Sequence, residues 1–174
     1  MLFLDVNVHD LINGTSKKLA SNDKISAPEW ALYAKTGAHK QRPPMQDDWW
    51  QTRNAALLRS VALLGPIGTN KLRVKYGGKK NRGKKPSRFC VASGNVIRKS
   101  LQQLESAGLI KEGQVKGHKG RIITNEGLAL LNSVAKELKA EAAKLAALDE
   151  EVTESKPKKA PVKKAESKSE EVTA

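Results

Sequence analysis

The sequence predicts a mainly α-helical domain with a small β-hairpin, built around a central apolar helix, on three observations. Residues 49–64 carry apolar side chains on several sides at helical spacing. Residues 93–107 read as an amphipathic helix, and two short apolar stretches, 109–111 and 121–124, follow it as strands around a Gly- and Lys-bearing link. The chain has 174 residues, enough to bury a core without metal or disulfide staples. Its single cysteine, Cys90, excludes an internal disulfide and suits a reducing compartment.

The elements follow in order. Residues 7–20 form an amphipathic helix with Val8, Leu11, Ile12 and Leu19 at helical spacing. Pro28 suits the first turn of a short helix over 29–35, which Gly37 stops. Residues 38–45 are a loop carrying His39, Lys40 and Arg42. Asp48 is placed to cap the central helix, with Gln51 completing a capping box. Trp50, Leu57, Val61 and Leu64 share one arc of that helix, and Ala56, Leu58 and Leu63 widen it. Trp50 therefore belongs to the core and Trp49 is partly buried. Gly65-Pro66-Ile67-Gly68 ends the helix, and Thr69 caps a short one through residue 75. Residues 77–86 offer nothing to a core and read as a Gly-Lys loop able to approach phosphates. Phe89-Cys90-Val91 reads as a small buried apolar segment.

In the 93–107 helix, Val96, Ile97, Leu101, Leu104 and Ala107 face one way and Arg98, Lys99, Gln102 and Ser106 the other. Gly108 ends it, and residues 113–120 form the tip of the hairpin, with Lys116, His118 and Lys119. A last helix begins near Thr124; Leu128, Leu131, Ala135, Leu138, Ala142 and Leu145 carry its pattern to about 148, with only the first half packed on the core. This order matches a winged helix-turn-helix-like single domain, in which 93–107 holds the recognition position and the hairpin is the wing. Residues 1–148 are the domain, with 136–148 a helical extension, and the Lys/Glu/Ala-rich tail 149–174 is disordered on composition.

Charge points to the partner. The chain holds 32 Lys or Arg against 18 Asp or Glu, a formal net of +14. Between residues 49 and 104 there are 13 basic residues and not one acid, and nine of the 13 lie between 71 and 88. Charge of one sign over so long a stretch repels itself unless a polyanion relieves it, which nucleic acid does. The candidate RNA-contacting residues are Arg53, Arg59, Lys71, Arg73, Lys75, Lys79, Lys80, Arg82, Lys84, Lys85, Arg88, Arg98, Lys99, Gln102, Lys116, Lys119 and Arg121. Arg53 and Arg59 have internal ion pairing as their alternative, and the RNA role is favoured because no acid lies nearby in sequence.

Specific segments carry a resemblance. DWWQTRNAALLRS (48–60), GTNKLRVKYGG (68–78), RGKKPSRF (82–89), ASGNVIRKSLQQLESAGLI (92–110), GRIITNEG (120–127) and PEWALYAKTG (28–37) resemble the archaeal and eukaryotic small-subunit ribosomal protein family S19e. The likeness covers about residues 5–138. It implies a winged-helix-like protein in the head of the small ribosomal subunit, bound to small-subunit ribosomal RNA, beside neighbouring ribosomal proteins, and linked to maturation of that subunit. The family's basic surface maps onto Arg53, Arg59, Arg98 and the loop from Lys79 to Arg88. The tail is longer than the family's usual C-terminus and gains no role from the resemblance.

Other chemistries are not expected. His9, His39 and His118 lack ligand-spaced neighbours, so no metal site or cofactor is expected. The Gly-Lys loop lacks the ending of a nucleotide P-loop, and the acid-free stretch leaves few general bases, so no enzyme and no small-molecule substrate are expected. No apolar run approaches a membrane span. The expected location is the cytoplasmic ribosome. The alternative reading is a winged-helix DNA-binding regulator using Arg98, Lys99 and Gln102 in a major groove.

Overall fold

The computed structural model describes residues 2–115 and 117–154, with side chains as far as Lys144. Two compact units divide the chain at residue 140. The first begins with a 3-10 turn (Leu2–Leu4) and α1 (Val8–Ala20), whose N-cap Asn7 accepts a hydrogen bond from the His9 amide. A second 3-10 turn (Glu29–Leu32) precedes α2 (Trp49–Leu64), α3 (Thr69–Lys75), β1 (Gly78–Arg82) and β2 (Lys85–Cys90). Then come α4 (Gly94–Ser106), β3 (Ile110–Val115), β4 (His118–Ile123) and α5 (Asn125–Glu154). This is a helix-rich, winged-helix-like domain.

The central helix lies where its apolar breadth demands. No Gly or Pro interrupts α2, which packs on α1, α4 and β4. Leu57, Leu58 and Val61 are fully buried and share one core with Leu11 and Leu19 of α1, Leu72 of α3, Ile97, Leu101 and Leu104 of α4, and Leu131 and Ala135 of α5. Burying each large aliphatic side chain of this kind is worth about 1.5–3 kcal/mol. Leu63 and Leu64 depart from expectation: both are exposed on the last turn, just before Gly65 ends the helix at φ 68°. Asp48 stands at the helix start without a side-chain cap, and the Gln51 side-chain oxygen is buried without a partner. With φ −89° and ψ 13°, Asp48 lacks the extended backbone that aims a capping oxygen at the next amides.

A second, aromatic cluster closes the start of α2. Trp30 and Trp49 each meet Trp50 edge-on, at 5.7 and 5.3 Å between ring centres. The Trp50 indole donates to Gln103 at 2.8 Å, and the Gln103 amide donates to the Ser26 carbonyl at 2.7 Å. Trp49 is thus buried, more so than expected. These contacts end the expected 29–35 helix early: the chain turns once from Pro28, presents Trp30, and leaves at Tyr33.

Both hairpins exceed the sequence reading. The expected loop 77–86 is a β-hairpin, with β1 and β2 antiparallel around Gly83 and Lys84. Backbone hydrogen bonds need no apolar side chain, and Gly83 at φ 70° supplies the positive φ of a two-residue turn. At the base of this ribbon Phe89 and Val91 are exposed and Cys90 half-buried instead of forming a buried segment. The β3–β4 ladder runs from Ile110↔Ile123 to Val115↔His118, so Gly113 and Gly120 pair within it instead of bounding its tip. Ile67, in the turn between α2 and α3, exchanges both backbone hydrogen bonds with Arg121 and extends this sheet. Gly120 permits that approach, because a Cβ there would lie 2.5 Å from the Ile67 amide nitrogen.

In α5, Leu131, Val134 and Ala135 are buried while residues 139–144 are exposed. The described part of the second unit is helix as far as Glu154. Lys116 and tail residues 155–174 lie outside the described residues.

Two substitutions check this packing by chemical denaturation. Leu57→Ala is expected to lower stability by about 2–5 kcal/mol. Gly120→Ala is expected to cost about 1–3 kcal/mol, because the clash is with backbone that cannot rotate away.

Candidate nucleic-acid interface

The β1–β2 ribbon turns sequence charge into surface charge. Lys79, Arg82, Lys84, Lys85 and Arg88 are exposed and Lys80 is half-buried. Across the ladder Lys80 faces Arg88 and Arg82 faces Lys85. Like charges directly opposite destabilise a strand pair, and no ion pair among the described residues relieves them. At its base the ribbon is held by the Gly37↔Ala92 bridge and by the Ser93 amide, which donates to the Thr36 carbonyl at 3.0 Å. Arg73 adds a bond there, its Nε donating to the Ala92 carbonyl at 3.3 Å, and is half-buried.

α4 carries the second part of the face. Its amphipathic pattern buries Val96, Ile97, Leu101 and Leu104 and leaves Arg98, Lys99 and Gln102 exposed. Gln103, adjacent in sequence, instead belongs to the Trp50 network. Lys71 on α3 and Lys119 on the wing are also exposed.

The third part lies between α2 and the start of the ribbon. The Arg53 guanidinium stacks over the Tyr76 ring at 4.6 Å from its centre. The Tyr76 and Ser60 hydroxyls are hydrogen-bonded at 3.0 Å, and Lys75 donates its ammonium to the same Ser60 oxygen at 3.0 Å. Burial pulls the Arg53 guanidinium below its ordinary value, partly offset by Tyr76. Burial and then the nearby Arg59 charge lower the Lys75 ammonium. Arg59 Nε is buried without a hydrogen-bond partner. Among the described residues neither Arg53 nor Arg59 has a carboxylate partner.

Arg121 behaves differently. Its guanidinium reaches Glu105 at 3.3 Å and Glu112 at 3.1 Å, with 18% of the side chain exposed. It is a structural link between α4 and the wing.

Sequence reasoning missed three contributors. Lys40 and Arg42 sit on the 36–46 loop, which folds back beside Arg53 and Tyr76 around a cavity of about 700 Å³. Their basic character was visible, but the folding of the loop onto α2 was not encoded in any local pattern. Tyr76 falls at the C-terminal end of α3, and only its place before Gly77-Gly78 marked it.

Comparison with known proteins follows the same lines. Residues 3–141 match the family described as Ribosomal protein S19e. The small ribosomal subunit protein eS19 of Aeropyrum pernix is 43% identical over 143 residues, covering 81% of this chain and 92% of that protein. The eS19 protein of Haloarcula marismortui is 41% identical over 138 residues, covering 77% and 88%. The eS19 protein of Oryza sativa is 38% identical over 131 residues, covering 75% and 88%.

The contrast between paired and unpaired arginines is measurable. Arg121→Met is expected to lower stability by about 1 kcal/mol, as its pairs are partly solvated. Arg98→Ala, on the exposed face, should stay within about 0.5 kcal/mol of the parent in the same denaturant titration.

Proposed function

Because the chain belongs to the Ribosomal protein S19e family, we propose that it is a structural constituent of the small ribosomal subunit, binding small-subunit ribosomal RNA through its cationic face and supporting assembly of that subunit. The observation that carries this reading is the β1–β2 ribbon, where cations face cations across the ladder with no carboxylate paired to them among the described residues. Phosphates supply that counter-charge, and release of condensed counterions drives the association. Lys79, Lys80, Arg82, Lys84, Lys85 and Arg88 contact the backbone from the ribbon. Arg98, Lys99 and Gln102 do so from α4, Lys71 and Arg73 from α3, and Lys119 from the wing. Arg53, Arg59 and Lys75 form the partly desolvated centre. The role needs no catalytic step, and its partners are the RNA and neighbouring subunit proteins at the cytoplasmic ribosome.

A DNA-binding regulator would concentrate its charge on the recognition helix and wing. Here the ribbon inserted between α3 and α4 adds a second basic surface that one major groove does not use, which favours an irregular RNA surface.

The test is the salt dependence of binding to small-subunit ribosomal RNA. Replacing Lys79, Lys80, Lys84 and Lys85 by Ala is expected to weaken binding and reduce the slope of log affinity against log salt by about three, at roughly 0.7–0.9 per phosphate contact. An unchanged slope would remove the ribbon from the interface.

A further inference from the structure

We propose that the cavity between α1, the 36–46 loop and α2 is a receptor for one unstacked nucleotide of the bound RNA. The inference rests on the RNA-binding reading above and adds a site that backbone neutralisation alone does not require.

The cavity, of about 700 Å³, falls within the roughly 300–1,000 Å³ of small-ligand pockets. Lys40, Arg42 and Arg53 line it, and no carboxylate does. Tyr76 and the Pro43-Pro44 pair supply flat apolar surface beside those cations, with the buried Trp49 in the wall behind them. Cations next to aromatic and prolyl faces match a nucleotide, whose base stacks while its phosphate is neutralised.

Arg53 gives the site its direction. A guanidinium partly withdrawn from water and lacking a carboxylate is a standing cost to the fold, and burial does lower it from its ordinary value. Stacking on Tyr76 orients its donors without neutralising the charge. An anion entering the cavity removes that cost. Exposed cations on the ribbon, already hydrated, gain less from a single phosphate. A smaller cavity of about 450 Å³ at the ribbon base shares Lys40, Arg53 and Tyr76 with the first, so the strand can continue from the bound nucleotide toward Lys79.

The occupant is distinguished by photocrosslinking of the full-length protein within small ribosomal subunits. Benzoylphenylalanine replaces Gln46, an exposed residue of the cavity lining, or Ser87, an exposed residue of the ribbon. The expected result is a crosslink from position 46 to a single ribosomal RNA nucleotide, lost when Thr52→Trp fills the cavity without changing any charge. That plug should also weaken RNA binding about tenfold and lower the salt slope by about one phosphate contact, roughly 0.7–0.9. If Thr52→Trp lowers the melting temperature, Arg42→Ala on the exposed loop replaces it, with loss of the same crosslink expected. A crosslink from position 46 to protein, one that survives the cavity variants, or none at all, while position 87 crosslinks RNA, overturns the nucleotide receptor and leaves RNA binding standing. Failure of both positions to crosslink RNA overturns the two together.

Discussion

The arrangement around α2 is governed by positive charge that the fold does not neutralise. Arg53 and Arg59 project from a helix whose other faces carry Leu57, Leu58 and Val61 into the core. Lys75 and Tyr76 are drawn to the same side by Ser60. The ion-paired acids among the described residues lie elsewhere: Glu137 with Lys18, Asp5 with Lys139, and Glu105 and Glu112 with Arg121. Carboxylates thus join α1 to α5 and α4 to the wing, while the face from α2 to the ribbon remains cationic. Repulsion across that face must be carried by the apolar packing beneath it, which explains why the helix holding the most constrained arginines is also the most deeply buried.

Rigidity comes from the buried contacts. The Trp30–Trp50–Trp49 cluster, closed by the Trp50–Gln103–Ser26 hydrogen bonds, joins the start of α2 to α4 and to the segment before the second 3-10 turn. The two helices that present cations are therefore fixed relative to each other by buried contacts. The Ile67 bridge does the same for the wing, with Gly120 allowing backbone to meet backbone. On the proposed role, such preorganisation lowers the entropic cost of binding an irregular RNA surface.

Helices were legible because each repeats its pattern over several turns. α4 buries Val96, Ile97, Leu101 and Leu104 and exposes Arg98, Lys99 and Gln102 as its spacing requires. The ribbon was not legible, because Gly78–Arg82 and Lys85–Cys90 are held by backbone hydrogen bonds, which leave no apolar alternation. Phe89 and Val91 misled for the complementary reason: apolar composition implied burial where no layer exists to provide it. Arg121 shows the limit for charged sites. Its sequence neighbours are apolar or Gly, and only the fold brings Glu105 and Glu112 to it. Lys40 and Arg42 were visible as a basic loop, but their place beside Arg53 depends on long-range contacts through Thr36 and Gly37.

The most direct test of the central claim is sedimentation of the full-length protein with small ribosomal subunits from cell extract at moderate salt. The protein is expected to migrate with those subunits and to be released progressively as salt rises, as the proposed phosphate-dominated attachment requires. A protein that stays at the top of the gradient while the subunits remain intact would contradict the account.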